Sequence, residues 1–266
     1  MGCEIWNKSN LPELLQEFPI FYGVNQSDLR KLINAAVVVH YAKRKVIVQE
    51  GKNPEAFYLI LKGMVKISKI SPVGKEFIIY VRHKGEIIAP GLTICRAPYF
   101  ASSVALEDVD ILVFSIDDFL DFMSLNPIVR LRFDSLDIDI IRDMYEKLIY
   151  LATNDVYHRL TNVLYSLSSK CGNILSLTHQ EIAELTWATL ETTTRALIKL
   201  RNDDIITLVR GKIIIKNPGK LRLCSENSSG HFLPNDSICP SNLNRYLNTP
   251  TDLKELGCDS NIRQKV

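Results

Sequence analysis

Glu191, Thr194 and Arg195 fall within about one turn of a stretch patterned as a helix, and their side chains are of the types that read the edge of a base pair. An arginine donates two parallel hydrogen bonds to O6 and N7 of guanine, and a glutamate accepts one from the amino group of cytosine. The stretch that carries them, residues 177–201, reads LTHQEIAELTWATLETTTRALIKLR. Thr178 stands three residues before Glu181, the spacing of a capping box, so a first helix is expected to start there. Ile182, Ala183 and Leu185 line one face of it. Thr186, Trp187, Ala188 and Thr189 break the pattern, and Thr189 is placed to cap a second helix over residues 190–202. Its buried stripe is expected at Leu190, Thr193, Leu197 and Leu200, and its opposite face carries Glu191, Thr192, Thr194, Arg195 and Lys199. Two short helices across a tight turn are the arrangement of a helix-turn-helix. From these residues alone, an ordinary helical hairpin with a solvated charged face serves equally well.

The residues that follow favour the first reading. Ile205-Ile206-Thr207-Leu208-Val209 and Ile213-Ile214-Ile215 are β-branched runs separated by Arg210-Gly211-Lys212, which predicts a hairpin. A hairpin directly after a recognition helix is a wing, and it would carry Arg210 and Lys212 close to a phosphate backbone. Between residues 178 and 222 eight basic residues stand against five acidic ones, a net +3 where the whole chain carries +2. The positive charge is therefore concentrated in this segment, as double-stranded DNA would require. The candidate DNA contacts are Thr178, His179, Thr189, Glu191, Thr192, Thr194, Arg195, Lys199, Arg210 and Lys212.

The rest of the composition narrows the classes. A chain of 266 residues, 46% hydrophobic and 23% charged, has globular values and enough length for two modest cores. The N-terminus MGCEIWNKSN has no basic segment followed by an apolar run, and no stretch approaches a membrane span. The chain is expected to be cytoplasmic and off the membrane, with reduced cysteines. Cys3, Cys95, Cys171, Cys224, Cys239 and Cys258 form no C-x-x-C pair, so no metal site is expected. The five histidines are scattered and no nucleophile motif, phosphate loop or carboxylate pair is present, which argues against an enzyme.

The elements that must position the reading residues come earlier in the chain. Residues 11–18 and 26–36 are amphipathic helical pieces. From Val37 the period changes to two: VVVHY, VIVQE, FYLILK, MVKISKI, KEFIIYV and DILVFSI are short strands, with glycine-containing turns between most of them. That spacing predicts a small antiparallel barrel or double-sheet roll. IDDFLDFMSL at 116–125 is a helix stopped before Asn126-Pro127. A long helix follows, with Leu136, Ile140, Ile141, Met144, Leu148 and Leu151 as its expected dimer seam. Thr153-Asn154-Asp155 reads as a hinge, residues 156–168 as a further helix and residues 170–173 as a loop. The expected domains are 1–125 (helices and roll), 126–153 (dimerisation helix), 154–223 (winged helix-turn-helix) and 224–266. The last is a polar tail, with one helical turn expected at 251–256.

Three motifs in this order resemble the Crp/Fnr superfamily of bacterial transcription regulators. They are EAFYLILKGMVKISKISPVGKEF, DVYHRL, and LTHQEIAELTWATLETTTRALIKLRNDDII followed by RGKIII. The resemblance runs over residues 18–223 and leaves the tail unmatched. It implies an α+β fold: a cyclic-nucleotide-binding-like β-roll, a long dimerisation helix and a C-terminal winged helix-turn-helix. It implies a homodimer reading a palindromic site, and RNA polymerase as a partner if the protein activates. Family members place a Glu, a small residue and an Arg on base edges, which match Glu191, Thr194 and Arg195. Leu190 stands where Crp has an arginine, so the helix is similar to the Fnr pattern and a half-site like TTGAT is expected.

The resemblance does not carry an effector across. The phosphate cassette of cyclic-AMP-binding relatives has a Gly-Glu-Leu and an Arg-Ser pair. Here those positions are Ala89-Pro90-Gly91 and the neighbourhood of Tyr99-Phe100, and the adenine-contacting pair becomes Met144 and Tyr145. Cyclic AMP is therefore not expected. An iron-sulfur cluster is not expected either, since Cys3 stands alone at its end and Cys224, His231, Cys239 and Cys258 are widely spaced. Heme held by His83 or Cys95 is kept as a lesser alternative, along with cyclic-nucleotide or redox sensing on the same fold. The favoured effector is an uncharged or aromatic small molecule between roll and long helix, lined by Tyr80, Arg82, Tyr99, Met144 and Tyr145. Halogenated-phenol sensors are a precedent in the superfamily, and regulation without any effector is the other outcome.

Overall fold

The structure, a computed structural model, describes Trp6 and residues 8–226. Cys3, His231, Cys239, Cys258 and the expected helical turn at 251–256 lie outside the described residues. The chain opens with α1 (Leu11–Gln16), a short 3-10 turn (Pro19–Phe21) and α2 (Gln26–Ala35), whose N-terminus is capped by the Asn25 side chain. The roll follows: β1 (Val37–Tyr41), β2 (Val46–Val48), β3 (Ala56–Lys62), β4 (Val65–Ile70), β5 (Glu76–Arg82), α3 (Pro90–Ile94), β6 (Ser102–Ala105) and β7 (Val109–Ser115). Two antiparallel sheets form it, in the orders β1-β7-β3 and β2-β6-β4-β5.

Alternation explains how β3 and β7 serve two cores at once. Phe57, Leu59 and Leu61 of β3 and Leu112 and Phe114 of β7 face the helices. Ile60, Val109 and Ile111 face the roll interior with Val65, Ile67, Ile88 and Tyr99. The register pairs Phe57 with Phe114 and Ile60 with Ile111, so each face is continuous across the pair. Gly63, between β3 and β4, is required as glycine: its φ is +87°, and a Cβ there would stand 2.7 Å from the Asp108 carbonyl oxygen.

Six of the seven roll strands lie at runs expected from the sequence; β6 was not expected, although it lies inside the sheet between β2 and β4. Its residues, Ser-Ser-Val-Ala, carry no apolar run because pairing on both edges holds the strand in place. The α3 turn was also missed. β1 lies at the expected residues, and β3 and β7 lie within one residue of theirs.

α4 (Ile116–Leu125) is capped by Ser115, and α5 (Pro127–Thr153) is one helix of 27 residues, about 40 Å long. Phe133 anchors the start of α5 in the aromatic core, 5.5 Å from Phe57 and 5.6 Å from Phe119 between ring centroids. Further along, α5 has two distinct faces. Leu136 packs against the roll core, and Ile140, Met144 and Leu151 are half-buried on the same side. Leu131, Ile138, Ile141, Tyr145 and Leu148 form an exposed outer stripe. The six residues expected as one seam therefore divide: Ile141 and Leu148 lie on the outer stripe, and the other four on the inner face. The reason is the 100° step of the helix, which turns Leu136, Ile140 and Met144 toward the roll.

After Asn154 the C-terminal head begins with α6 (Val156–Cys171), capped by Asp155, then β8 (Ile174–Leu175), α7 (His179–Thr186) and α8 (Leu190–Asn202). β9 (Ile206–Val209), β10 (Lys212–Ile215) and α9 (Pro218–Glu226) complete it. The expected loop at 170–173 begins within the last turn of α6, and β8, which was not anticipated, pairs with β10 and makes the wing a three-stranded sheet. α9 was not expected; it packs on α6 with Leu221 buried, and the anticipated start of the tail at residue 224 falls inside it. No described helix is long and apolar enough to cross a membrane.

Candidate nucleic-acid interface

Local chemistry fixes the start of each helix of the reading unit. The Thr178 hydroxyl accepts the Glu181 N–H at 3.2 Å while the Glu181 carboxylate accepts the Thr178 N–H at 2.7 Å, the reciprocal pair of a capping box. The turn is made at Trp187, in left-handed backbone with φ 52°. Thr189 caps α8 by accepting the Thr192 N–H, and its hydroxyl lies 2.9 Å from that of Thr192. Behind the unit, Thr193, Leu197 and Leu200 of α8 pack with Ile182 and Leu185 of α7 over Leu160 and Leu164 of α6. Leu190 does not join them. It was expected in the buried stripe but is 46% exposed, because as the first residue of α8 it projects beyond α7.

The reading face that remains is open. Glu191 and Arg195 are paired at 3.2 Å across one turn, with their side chains 80% and 71% exposed. An ion pair this exposed contributes little to stability, so Arg195 is free to exchange Glu191 for a base edge. Thr194 lies half-buried between them in sequence, and Arg210 and Lys212 are exposed at the wing tip. Other candidates have further tasks. Thr178, Thr189 and Thr192 are engaged in caps, His179 is half-buried, and Lys199 stacks on the Tyr157 ring at 4.3 Å.

The expected effector residues do not all gather. Tyr80 and Tyr99 belong to the roll-interior cluster, and burial raises the pKa of both phenols. Arg82 lies 4.9 Å from the Tyr80 ring and pairs with Glu86 at 3.0 Å. Burial disfavours the Glu86 charge, yet Arg82 and His83 outweigh it and hold that carboxyl below its usual range. The long helix contributes Asp137, whose carboxylate accepts the Gly91 N–H at 3.3 Å and which stands among the charges around Arg82. Nothing in sequence spacing pointed to Asp137. Met144 is half-buried, but Tyr145 is 66% exposed on the outer stripe of α5 with Ile141 and Leu148, which corrects its expected place in the effector lining. His83 is half-buried, its backbone N–H donated to Glu86 at 2.8 Å and its Nδ1 3.1 Å from the Lys84 carbonyl.

Comparison with known proteins agrees with this geometry. Residues 38–126 match the cyclic nucleotide-binding domain and residues 158–224 the Crp-like helix-turn-helix domain. The cyclic AMP receptor protein of Thermus thermophilus is 23% identical over 204 residues, covering 76% of this chain and 94% of that protein. The global nitrogen regulator of a Synechocystis strain is 29% identical over 194 residues, covering 68% of this chain and 85% of that protein. In fold, the chain superposes on FixK2 of Bradyrhizobium japonicum with a TM-score of 0.63 at 17% identity, over 73% of this chain and 99% of that one. The two matched domains, a cyclic nucleotide-binding domain followed by a Crp-like helix-turn-helix domain, together with these relatives, support a Crp/Fnr-type DNA-binding transcription regulator, a class whose members are not enzymes.

Proposed function

We propose that the protein acts as a homodimer, its two α8 helices set in successive major grooves of a palindromic operator with TTGAT-like half-sites about 34 Å apart. The observation that carries this reading is the open pair Glu191 and Arg195 on α8, in a unit whose two helices are each capped at the N-terminus by a threonine side chain, flanked by the basic wing tip. The outer stripe of α5 supports the dimer, since Leu131, Ile138, Ile141, Tyr145 and Leu148 recur at coiled-coil spacing and are exposed in the single chain.

The roll is the effector domain in this reading, and the effector is uncharged or aromatic. Tyr80 and Tyr99 offer aromatic surface. The Arg82 guanidinium already has Glu86 as its partner, and Asp137 and Asp143 of α5 add further negative charge around it. An anionic ligand such as a cyclic nucleotide would meet those carboxylates, which disfavours it. An effector touching both the roll and α5 would shift the population between orientations of the two heads.

Fluorescence anisotropy tests the core of this reading. The probe is a duplex with TTGAT and ATCAA separated by four base pairs, compared with a scrambled duplex at the same salt. The expected result is selective binding by the wild type. Arg195→Ala should lose about 1–3 kcal/mol, roughly 5- to 150-fold, together with the preference at one base pair. Unchanged affinity and base preference in Arg195→Ala would refute the assignment of α8.

A further inference from the structure

Three parts of the fold meet at Trp187, the residue in the turn of the helix-turn-helix. Its indole N–H donates to the Ile78 carbonyl on β5 at 2.8 Å. Phe77, the preceding residue of β5, meets the indole edge-on at 5.7 Å. Lys147 of α5 reaches the same place: its Nζ donates to the Ile78 carbonyl at 3.1 Å and the Ile79 carbonyl at 2.8 Å, and lies 4.7 Å from the indole centroid. Alongside, Lys66 of β4 pairs with Glu76 of β5 at 2.7 Å and lies 3.5 Å from the buried Glu184 of α7. Met64, Ile78 and Leu106 of the roll close the contact by joining the core of the head.

The head's own packing gives no reason for a tryptophan there. Thr186 and Ala188 on either side are buried within the head, while the indole reaches out to the roll. A left-handed position is sterically cheapest for glycine or asparagine, so a bulky residue held there needs compensating contacts. The contacts it makes belong to the strand and the helix through which an effector would act. β5 carries Ile78 and Ile79 in the clamp and Tyr80 and Arg82 at the candidate effector lining, on one short strand.

We propose that Trp187 and Lys147 form a clamp that positions the recognition helix, fixing α8 relative to α5 so that the two heads of the dimer stand at the spacing of the half-sites. The proposal rests on the dimeric, DNA-reading function above. Without the clamp the Lys66–Glu184 pair and the apolar contacts of Met64, Ile78 and Leu106 still touch the head, but the turn of the reading unit loses its direct tie to α5, and part of the orientation of each head would have to be ordered on binding. Displacing β5 or α5 moves the carbonyls or the ammonium that hold the indole, and so re-aims α8. Trp187 and Lys147 are positioning residues, with no role in touching DNA.

The test uses the full-length protein and its Trp187→Phe and Lys147→Met variants, on duplexes with TTGAT and ATCAA separated by three, four or five base pairs and on a single half-site. The wild type should bind one spacer best and fall off on either side. Each variant should bind the best duplex about tenfold more weakly with a flattened spacer profile, and the single half-site within twofold of wild type. A variant that was merely unstable would lose the half-site as well. An unchanged spacer profile, or tighter binding to the best duplex, would overturn the positioning role. If the wild type selects no duplex, the operator reading fails first, and the clamp is then decided by Trp187 emission. The chain has two tryptophans, so Trp6→Phe isolates that signal. Lys147→Met should then shift the emission maximum, and an unshifted maximum would overturn the clamp itself.

Discussion

Replacing Ile141 and Leu148 together by lysine should convert the proposed dimer to a monomer while leaving each chain folded. The two side chains are 55% and 59% exposed in the single chain, so neither substitution disturbs a packed core. Full burial of a Leu or Ile side chain contributes roughly 1.5–3 kcal/mol, and covering the exposed half of each contributes about 1–1.5 kcal/mol. A two-fold axis counts both residues twice, giving about 4–6 kcal/mol for the pair of substitutions before any cost of burying charge. At about 1.4 kcal/mol per decade, the dimer dissociation constant should rise by three to four orders of magnitude. Sedimentation velocity over a concentration series measures this directly, and far-ultraviolet circular dichroism checks that the variant is folded. A control at Ile140, half-buried on the inner face, should lower stability with less effect on association. If the double variant sediments as a dimer with an unchanged dissociation constant, the outer stripe is not the seam.

Lys147 should give the head an unusual pH response. Burial lowers its pKa from 10.5 to about 8, so the folded chain releases this proton before the unfolded chain does. Below about pH 8 the ammonium is charged in both states and its burial cost is carried in full; between about pH 8 and 10.5 the unfolded state holds more protons and stability rises, by at most about 3 kcal/mol. Denaturant unfolding of wild type and Lys147→Met at pH 7.5 and 10 isolates the effect, and an identical pH response in the two proteins would contradict it. Gly91→Ala should change sign with its background. A Cβ at Gly91 would overlap an Asp137 carboxylate oxygen, so the substitution must expel that side chain and lose its hydrogen bond. Thermal unfolding should show destabilisation of about 1–2 kcal/mol in the wild type. In an Asp137→Ala background the substitution should be neutral or slightly stabilising, since alanine is the better helix former. Equal shifts in both backgrounds would show that the two residues do not interact.

The parts of this protein that sequence alone determined are those whose physics is local. A capping box needs only two side chains three residues apart, so Thr178 and Glu181 announce the start of α7, and Thr189 the start of α8. β3 and β7 are visible as near-continuous apolar runs because each is buried on both faces, one against the helices and one in the roll interior. The open face with Glu191 and Arg195 follows from the same helical period. Contacts between remote segments decided the rest. β6 and β8 owe their existence to neighbouring strands rather than to apolar runs of their own. Leu190 is exposed because α7 ends short of it, and the apolar positions of α5 divide into two faces only once the roll covers one of them. Trp187, which in sequence merely interrupts a helix, gains its meaning from a carbonyl 109 residues earlier and an ammonium on the long helix. A pattern along the chain records what each residue prefers; which of two apolar faces is covered, and what an indole finds at its edge, depends on surfaces that exist only after the chain has folded.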